Sequence, residues 1–276
     1  MKAKWNSKRL LGILLSCVML FSLMPVIAFA ENTTTVRTQT LDLSASEFDQ
    51  NQENTAEGWS WDAASHTLTL TNANFQTDGY GIIFPVGQEC ALRLEGENTL
   101  TCGMQTVTKT AGRAGKVTIT GSGSLNATTT RDLPTFDLVN LELASGTIVA
   151  TGSIAALNDM KISGGSLTVN TTGFQNWNDG IYACGSIEIT GGSVDITAGR
   201  VGLFVPGTGA QEPTTGLKIT GGDVTVQGAV AATYAGIDSH KDTVVETTGS
   251  VTIHDSPVGF YAVNGDIIIK RRGMLS

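Results

Sequence analysis

The sequence predicts an all-β fold, a right-handed single-stranded parallel β-helix (solenoid) of about eight coils, from a repeated phrase, its spacing and the composition. The phrase alternates apolar and polar residues around a Gly-rich corner. Its copies are VTITGSGSL from Val117, LELASGTIV from Leu141, MKISGGSLTV from Met160, IEITGGSVDI from Ile187 and LKITGGDVTV from Leu217. VTIHDSPVGF from Val251 reads as a degenerate sixth. The aligned residues Ile119, Leu143, Ile162, Ile189, Ile219 and Ile253 lie 24, 19, 27, 30 and 34 residues apart, the length of one supersecondary unit stacked on its neighbours. With 33 Gly, 38 Thr, 6 Pro and only 15% charged residues, the chain is rich in strand and turn formers and excludes long amphipathic helices as its main architecture.

Each part of the phrase has a physical reading. The period of two places Val117 and Ile119 on one face and Thr118 and Thr120 on the other, which is strand geometry. A glycine corner lets the chain turn sharply between short strands. A second signal, Gly followed by a bulky apolar residue, appears at Gly81-Ile82, Gly180-Ile181, Gly202-Leu203, Gly236-Ile237 and Gly259-Phe260 and reads as a further strand of each coil. A β-sandwich is the alternative. Its successive strands would differ, with turn signals every ~8–12 residues, whereas here one phrase returns with variable material between copies.

Along the chain, Lys2, Lys4, Lys8 and Arg9 precede an apolar run from Leu10 to Ala30 that ends in Ala28-Phe29-Ala30. This is the pattern of a signal peptide over residues 1–30, and it predicts a secreted or cell-wall attached protein with no membrane insertion after cleavage. Residues 31–64 read as a linker and N-terminal cap, which a solenoid needs because its terminal sheet edges invite aggregation. Residues 65–276 carry the repeats. The chain stops at Ser276 just as a new apolar phrase, Ile267-Ile268-Ile269, begins, so truncation of a longer protein is expected.

Charge and cysteines narrow the function classes. The net charge is −8, and the stretch from Thr38 to Leu92 carries acids but no Lys or Arg, so nucleic acid is a poor partner. After signal removal Cys90, Cys102 and Cys184 remain, an odd number at spacings that match no zinc pattern. Cys90 and Cys102 read either as a disulfide or as buried fillers.

No cofactor is expected. The Gly-Gly pairs at Gly164, Gly191 and Gly221 suggest calcium-binding nonapeptides, but Ser166, Ser193 and Asp223 recur once per coil, not every ninth residue, so calcium rests on incidental carboxylates alone.

The phrases GWSWDAASHTLTLTNANF (Gly58 to Phe75), ECALRLEGENTLT (Glu89 to Thr101) and KVTITGSGSL (Lys116 to Leu125) resemble repeat regions of secreted, adhesin-like proteins of Gram-positive bacteria. The resemblance implies a parallel β-helix and, by analogy with carbohydrate-binding relatives, a polysaccharide or surface glycan as partner. It brings no set of binding residues.

No catalytic set is assigned. Polygalacturonase-like Asp-Asp, Gly-His-Gly and Arg-x-Lys motifs do not occur in the sequence. A lyase needs an Arg or Lys base beside cation-binding carboxylates, and the nearest group is Asp238, His240, Lys241 and Asp242, whose bland reading is a solvated corner loop. Glycan binding asks only for an outward aromatic platform with a few polar groups. Trp177, Asp179 and Tyr182, with Asp238, His240 and Asp242, form the candidate glycan-binding set. Trp59 and Trp61, which share one strand face, read instead as a buried cap. The function predicted is a non-enzymatic, carbohydrate-binding or adhesin-like β-helix. A polysaccharide lyase or hydrolase acting on acidic glycans is the alternative, and a structural stalk the second.

Overall fold

The computed structural model describes residues 34–106, 114–129, 133–176, 178–208, 215–228 and 234–270. The signal-peptide reading over residues 1–30 and the candidate Trp177 lie outside these residues.

Apart from one 3-10 turn, Ser46–Asp49, the regular elements are strands. They pair in parallel through the repeat region and so form a β-helix; a sandwich would need antiparallel neighbours, and among the described residues antiparallel pairs join only Gln52–Asn54, Trp59–Asp62 and Thr67–Thr71 at the N-terminal end.

Each coil contributes strands to three sheets. Coil 1 comprises Thr67–Thr71 and Asn74–Phe84, and coil 2 comprises Glu89–Glu95 and Glu97–Thr106, the second strand of each bending from the second sheet into the third. Coil 3 has Lys116–Gly121, Ser124–Thr128 and Phe136–Leu138. Coil 4 has Leu141–Leu143, Thr147–Thr151 and Ile154–Ala156, and coil 5 has Met160–Ile162, Ser166–Asn170 and Ile181–Ala183. In coil 6, Ile187–Ala198 spans the first two sheets and Val201–Val205 joins the third; in coil 7, Thr215–Gly228 and Ala235–Ser239 do the same. Coil 8 has Asp242–Val245, Val251–His254 and Phe260–Ala262, after which Ile267–Ile269 pairs with Asp242–Val245. The stack makes about seven turns between its first and last full coil. At the usual ~4.8 Å between hydrogen-bonded strands, equivalent residues form columns along the axis.

The inward columns are the core. On the first sheet Leu68, Leu92, Ile119, Leu143, Ile162, Ile189, Ile219 and Val245 succeed one another. On the second, Phe75, Leu100, Ala127, Ala150, Val169, Ile196 and Val226 do so, and on the third Ile82, Met104, Phe136, Ile154, Ile181, Leu203 and Ile237. All are buried. Asn98 occupies a position that Leu125 and Ile148 fill in later coils, and it is tolerated inside because its amide is saturated. Its Oδ1 accepts from the Ala73 amide at 2.8 Å, and its Nδ2 donates to the Glu95 and Ser124 carbonyls at 3.1 and 3.0 Å.

The sixth copy of the phrase sits one sheet further on than its spelling suggests. Val251–His254 stacks on the second sheet with Ile253 opposite Val226, whereas the first-sheet partner of Ile219 is Val245. The true first strand of coil 8 is hard to read because Thr243 holds the inward position that Leu217 fills below it; Thr243 is buried and its Oγ1 finds no hydrogen-bond partner.

Close approach explains the glycines that precede apolar residues at Gly180, Gly202 and Gly236, though not at Gly259, where a Cβ would meet nothing within 4 Å. A Cβ on Gly180, Gly202 or Gly236 would stand 2.3, 2.2 or 2.3 Å from a methyl of Ile196, Val226 or Ile253, respectively. Only a hydrogen fits at this column. Cys90 and Cys102 are free and buried, and burial pushes the Cys90 thiol up to about 11.

At the N-terminal end Leu41, Leu43, Phe48, Trp59 and Trp61 join the core. The Trp61 indole donates to the Phe48 carbonyl at 2.8 Å and that of Trp59 to Glu57 at 2.8 Å. Both tryptophans are therefore structural.

Replacing Ile189, buried in mid-column, by Val should cost about 0.5–1.5 kcal/mol and by Ala about 2–5 kcal/mol. Urea titrations should rank wild type above Val above Ala, and an unaffected midpoint for Ile189→Ala would contradict the inward stack.

Candidate functional site

The outward column of the third sheet is aromatic and acidic, whereas that of the first sheet alternates charges (Glu142, Lys161, Glu188, Lys218) and that of the second is rich in Thr and Ser (Thr147, Ser166, Ser193). Parallel register puts Tyr182 of coil 5 beside Phe204 of coil 6, Phe204 beside Asp238 of coil 7 and Asp238 beside Tyr261 of coil 8. Each is the second residue after a glycine of the Gly-apolar signal, namely Gly180, Gly202, Gly236 and Gly259, so that signal fixes its outward direction.

Flanking residues complete the cluster. Tyr182 and Phe204 meet edge to face with centroids 5.5 Å apart, Phe204 and His240 at 5.6 Å, and Tyr234 and Tyr261 at 5.6 Å. Arg200 lays its guanidinium over Phe204, 4.9 Å from the ring centre, and forms a short ion pair with Asp179. The backbone holds this corner: the Arg200 amide donates to the Asn178 carbonyl at 3.0 Å and the Tyr234 amide to the Arg200 carbonyl at 2.7 Å. His240 Nε2 lies 3.7 Å from Asp238 Oδ1. The Cys184 thiol points at the Tyr182 hydroxyl, 3.4 Å away.

The carboxylates are the unusual groups. Asp179 is 7% exposed and Asp238 4%, and Oδ1 of each is buried without a hydrogen-bond partner. Leaving such an atom unsatisfied is costly, so each is a place where an external donor would be welcome. Burial raises the pKa of both above the ordinary aspartate value. Arg200 pulls against burial at both, and His240 does so at Asp238. The charge on Asp238 adds to the rise at Asp179, so the two carboxyls sense each other.

Four of the six sequence-predicted candidates, Asp179, Tyr182, Asp238 and His240, thus gather on one face. Asp238 lies in a strand and is almost fully covered, so the reading of GIDSHKD as a solvated loop is corrected: stacking under coil 8 buries its first half. Asp242 belongs to a different element. It opens the first-sheet strand Asp242–Val245, where its Oδ1 accepts from the Asp266 amide at 2.9 Å. Sequence reasoning missed Arg200, Phe204, Tyr234 and Tyr261, although the shared offset from glycine marks Phe204 and Tyr261. Among the described residues, no three His, Cys, Asp or Glu side chains gather closely enough to hold a metal ion.

A groove of about 460 Å³ near the first sheet is chemically quieter. Its Lys116 pairs with Glu142 at 3.0 Å, Ser163 donates to Glu142 at 3.2 Å, and Glu188 stands between Lys161 and Lys218 at 4.0 and 3.9 Å. Four acidic side chains, Glu89, Glu142, Asp159 and Glu188, line it against two lysines, Lys116 and Lys161, and both lysines are drawn to its glutamates.

The raised carboxyls make a signed prediction. A group whose folded pKa lies above its unfolded value stabilises the fold most below the unfolded value, near 3.8 for Asp, and loses that contribution as pH rises through the folded value. Asp238→Asn cannot ionise. Its stability relative to wild type should therefore rise as pH rises above 3.8, as followed by urea midpoints. A variant that weakens steadily against wild type over that range would refute the burial argument.

No curated protein matches the chain. A solved structure of a polysaccharide lyase-like protein from C. thermocellum, a gadolinium derivative, is similar at 21% identity with a TM-score of 0.45, over 87% of this chain and 94% of that one. The sequence profile described as "carbohydrate-binding domain-containing protein" matches residues 60–271, most of the repeat region, and the chain belongs to that family.

Proposed function

We propose that this protein is a secreted or surface-attached, non-enzymatic carbohydrate-binding β-helix whose glycan site is the outward column of the third sheet. The observation that carries the reading is the register that lines up Tyr182, Phe204, Asp238 and Tyr261 on successive coils. Aromatic rings pack against the CH faces of sugars, and adjacent carboxylates and a guanidinium exchange hydrogen bonds with hydroxyls. Stacked coils repeat such contacts along the axis, which suits an extended polymer. Family membership supports the same partner class. The basic N-terminus and apolar run of residues 1–30 support export.

Hydrolysis or lysis of a glycan is the second reading, favoured by one observation: Asp179 and Asp238 are buried carboxyls whose proton affinity is raised, as that of acid–base residues is. One assay separates the two. The protein is incubated with immobilised polygalacturonate, a neutral polysaccharide and an amino-sugar polysaccharide. Retention without new reducing ends or unsaturated product supports the binding module, and product formation supports the enzyme. With neither retention nor product, the stalk role remains. Tyr182→Ala and Phe204→Ala should each weaken retention at least about tenfold, the scale of one lost aromatic contact in a desolvated site. Unchanged retention in both variants would remove the column from the binding site.

A further inference from the structure

We propose that the column recognises its glycan through a protonated amine, as on a de-N-acetylated hexosamine, seated against Asp238 between the rings of Phe204 and Tyr261. The inference rests on the column being the glycan site and adds the chemical class of the sugar.

Four observations converge on an ammonium group. Asp238 is flanked in register by Phe204 and Tyr261, is almost fully covered, and keeps Oδ1 without a hydrogen-bond donor. Asp179 also keeps an unpartnered Oδ1, although its Oδ2 is held by Arg200. Arg200 is paired with Asp179, and Asp238 faces the His240 ring, whose Nε2 stands 3.7 Å from Oδ1, beyond hydrogen-bond reach, so the two carboxylates share one permanent positive charge. The face of Phe204 already accepts a cation, with Arg200 4.9 Å from its centre.

Competing sugar chemistries fit less well. A uronate would bring a third carboxylate into this setting and be repelled. A hydroxyl would satisfy Asp238 with one bond and no charge. An ammonium offers three donors and a full positive charge, and the neighbouring rings attract it through their negative faces. Acetylating that nitrogen removes the charge, so the site should separate the two forms of the same sugar. The acidic chain, with net charge −8, adds a long-range attraction for a cationic polymer.

The test compares a glucosamine tetramer with its fully N-acetylated counterpart by calorimetry on the whole chain, at pH 6 and low salt. The free-amine form should bind at least about tenfold tighter, and added salt should shrink that margin. Asp238→Asn, checked for intact folding by circular dichroism, should bring the two affinities to within about threefold. Equal binding of both tetramers by wild type, or tighter binding of neutral or acidic glycans, overturns the amine assignment while the glycan reading stands. A folded Asp238→Asn variant that keeps the full preference overturns it as well. If no glycan binds, both fall. The wild-type comparison stands even if the variant does not fold.

Discussion

The described repeat region depends on one constraint: the backbone polar groups of its strands find their partners on the coils above and below. Short strands of three to five residues, such as Leu141–Leu143 and Thr147–Thr151, would have little stability alone. Stacked in parallel register, their amides and carbonyls are satisfied along the axis, and their inward side chains fall into continuous aliphatic columns. Hydrogen bonding therefore fixes the pitch and apolar burial fixes the facing. Breaking the register at one coil would misplace every side chain beyond it.

The same constraint creates the candidate site. Residues separated by 22, 34 and 23 positions, Tyr182, Phe204, Asp238 and Tyr261, become immediate neighbours because they share one place in the coil. A surface built this way is linear and periodic. The fold retains buried, incompletely bonded carboxylates at Asp179 and Asp238, a cost to stability that makes chemical sense if an external donor completes them.

Much of the fold is legible in the sequence because periodicity and stacking are the same fact seen in one and three dimensions. Ile119, Leu143, Ile162, Ile189 and Ile219 align in the sequence and stack in space. Legibility fails where a polar residue takes an inward place: Thr243 conceals the first strand of coil 8, and Asn98 interrupts the apolar pattern of its own strand, its amide bonds being visible only in space. The site is half legible for a related reason. Acids and aromatics stand out by type, but Arg200 and Tyr234 join the cluster through a corner whose path depends on backbone hydrogen bonds between coils. Asp242 shows the converse error, since four positions of sequence carry it around a corner onto another sheet.

The glycine column formed by Gly180, Gly202 and Gly236 has a mechanical consequence. It lies where the chain enters the third sheet, with methyl groups of the second sheet almost touching its backbone. Any side chain there would act as a wedge, prising the layers apart on one side and tilting the rest of the stack. Tyr182, Phe204, Asp238 and Tyr261 would then fan out like the edges of a bent deck of cards and lose their common line.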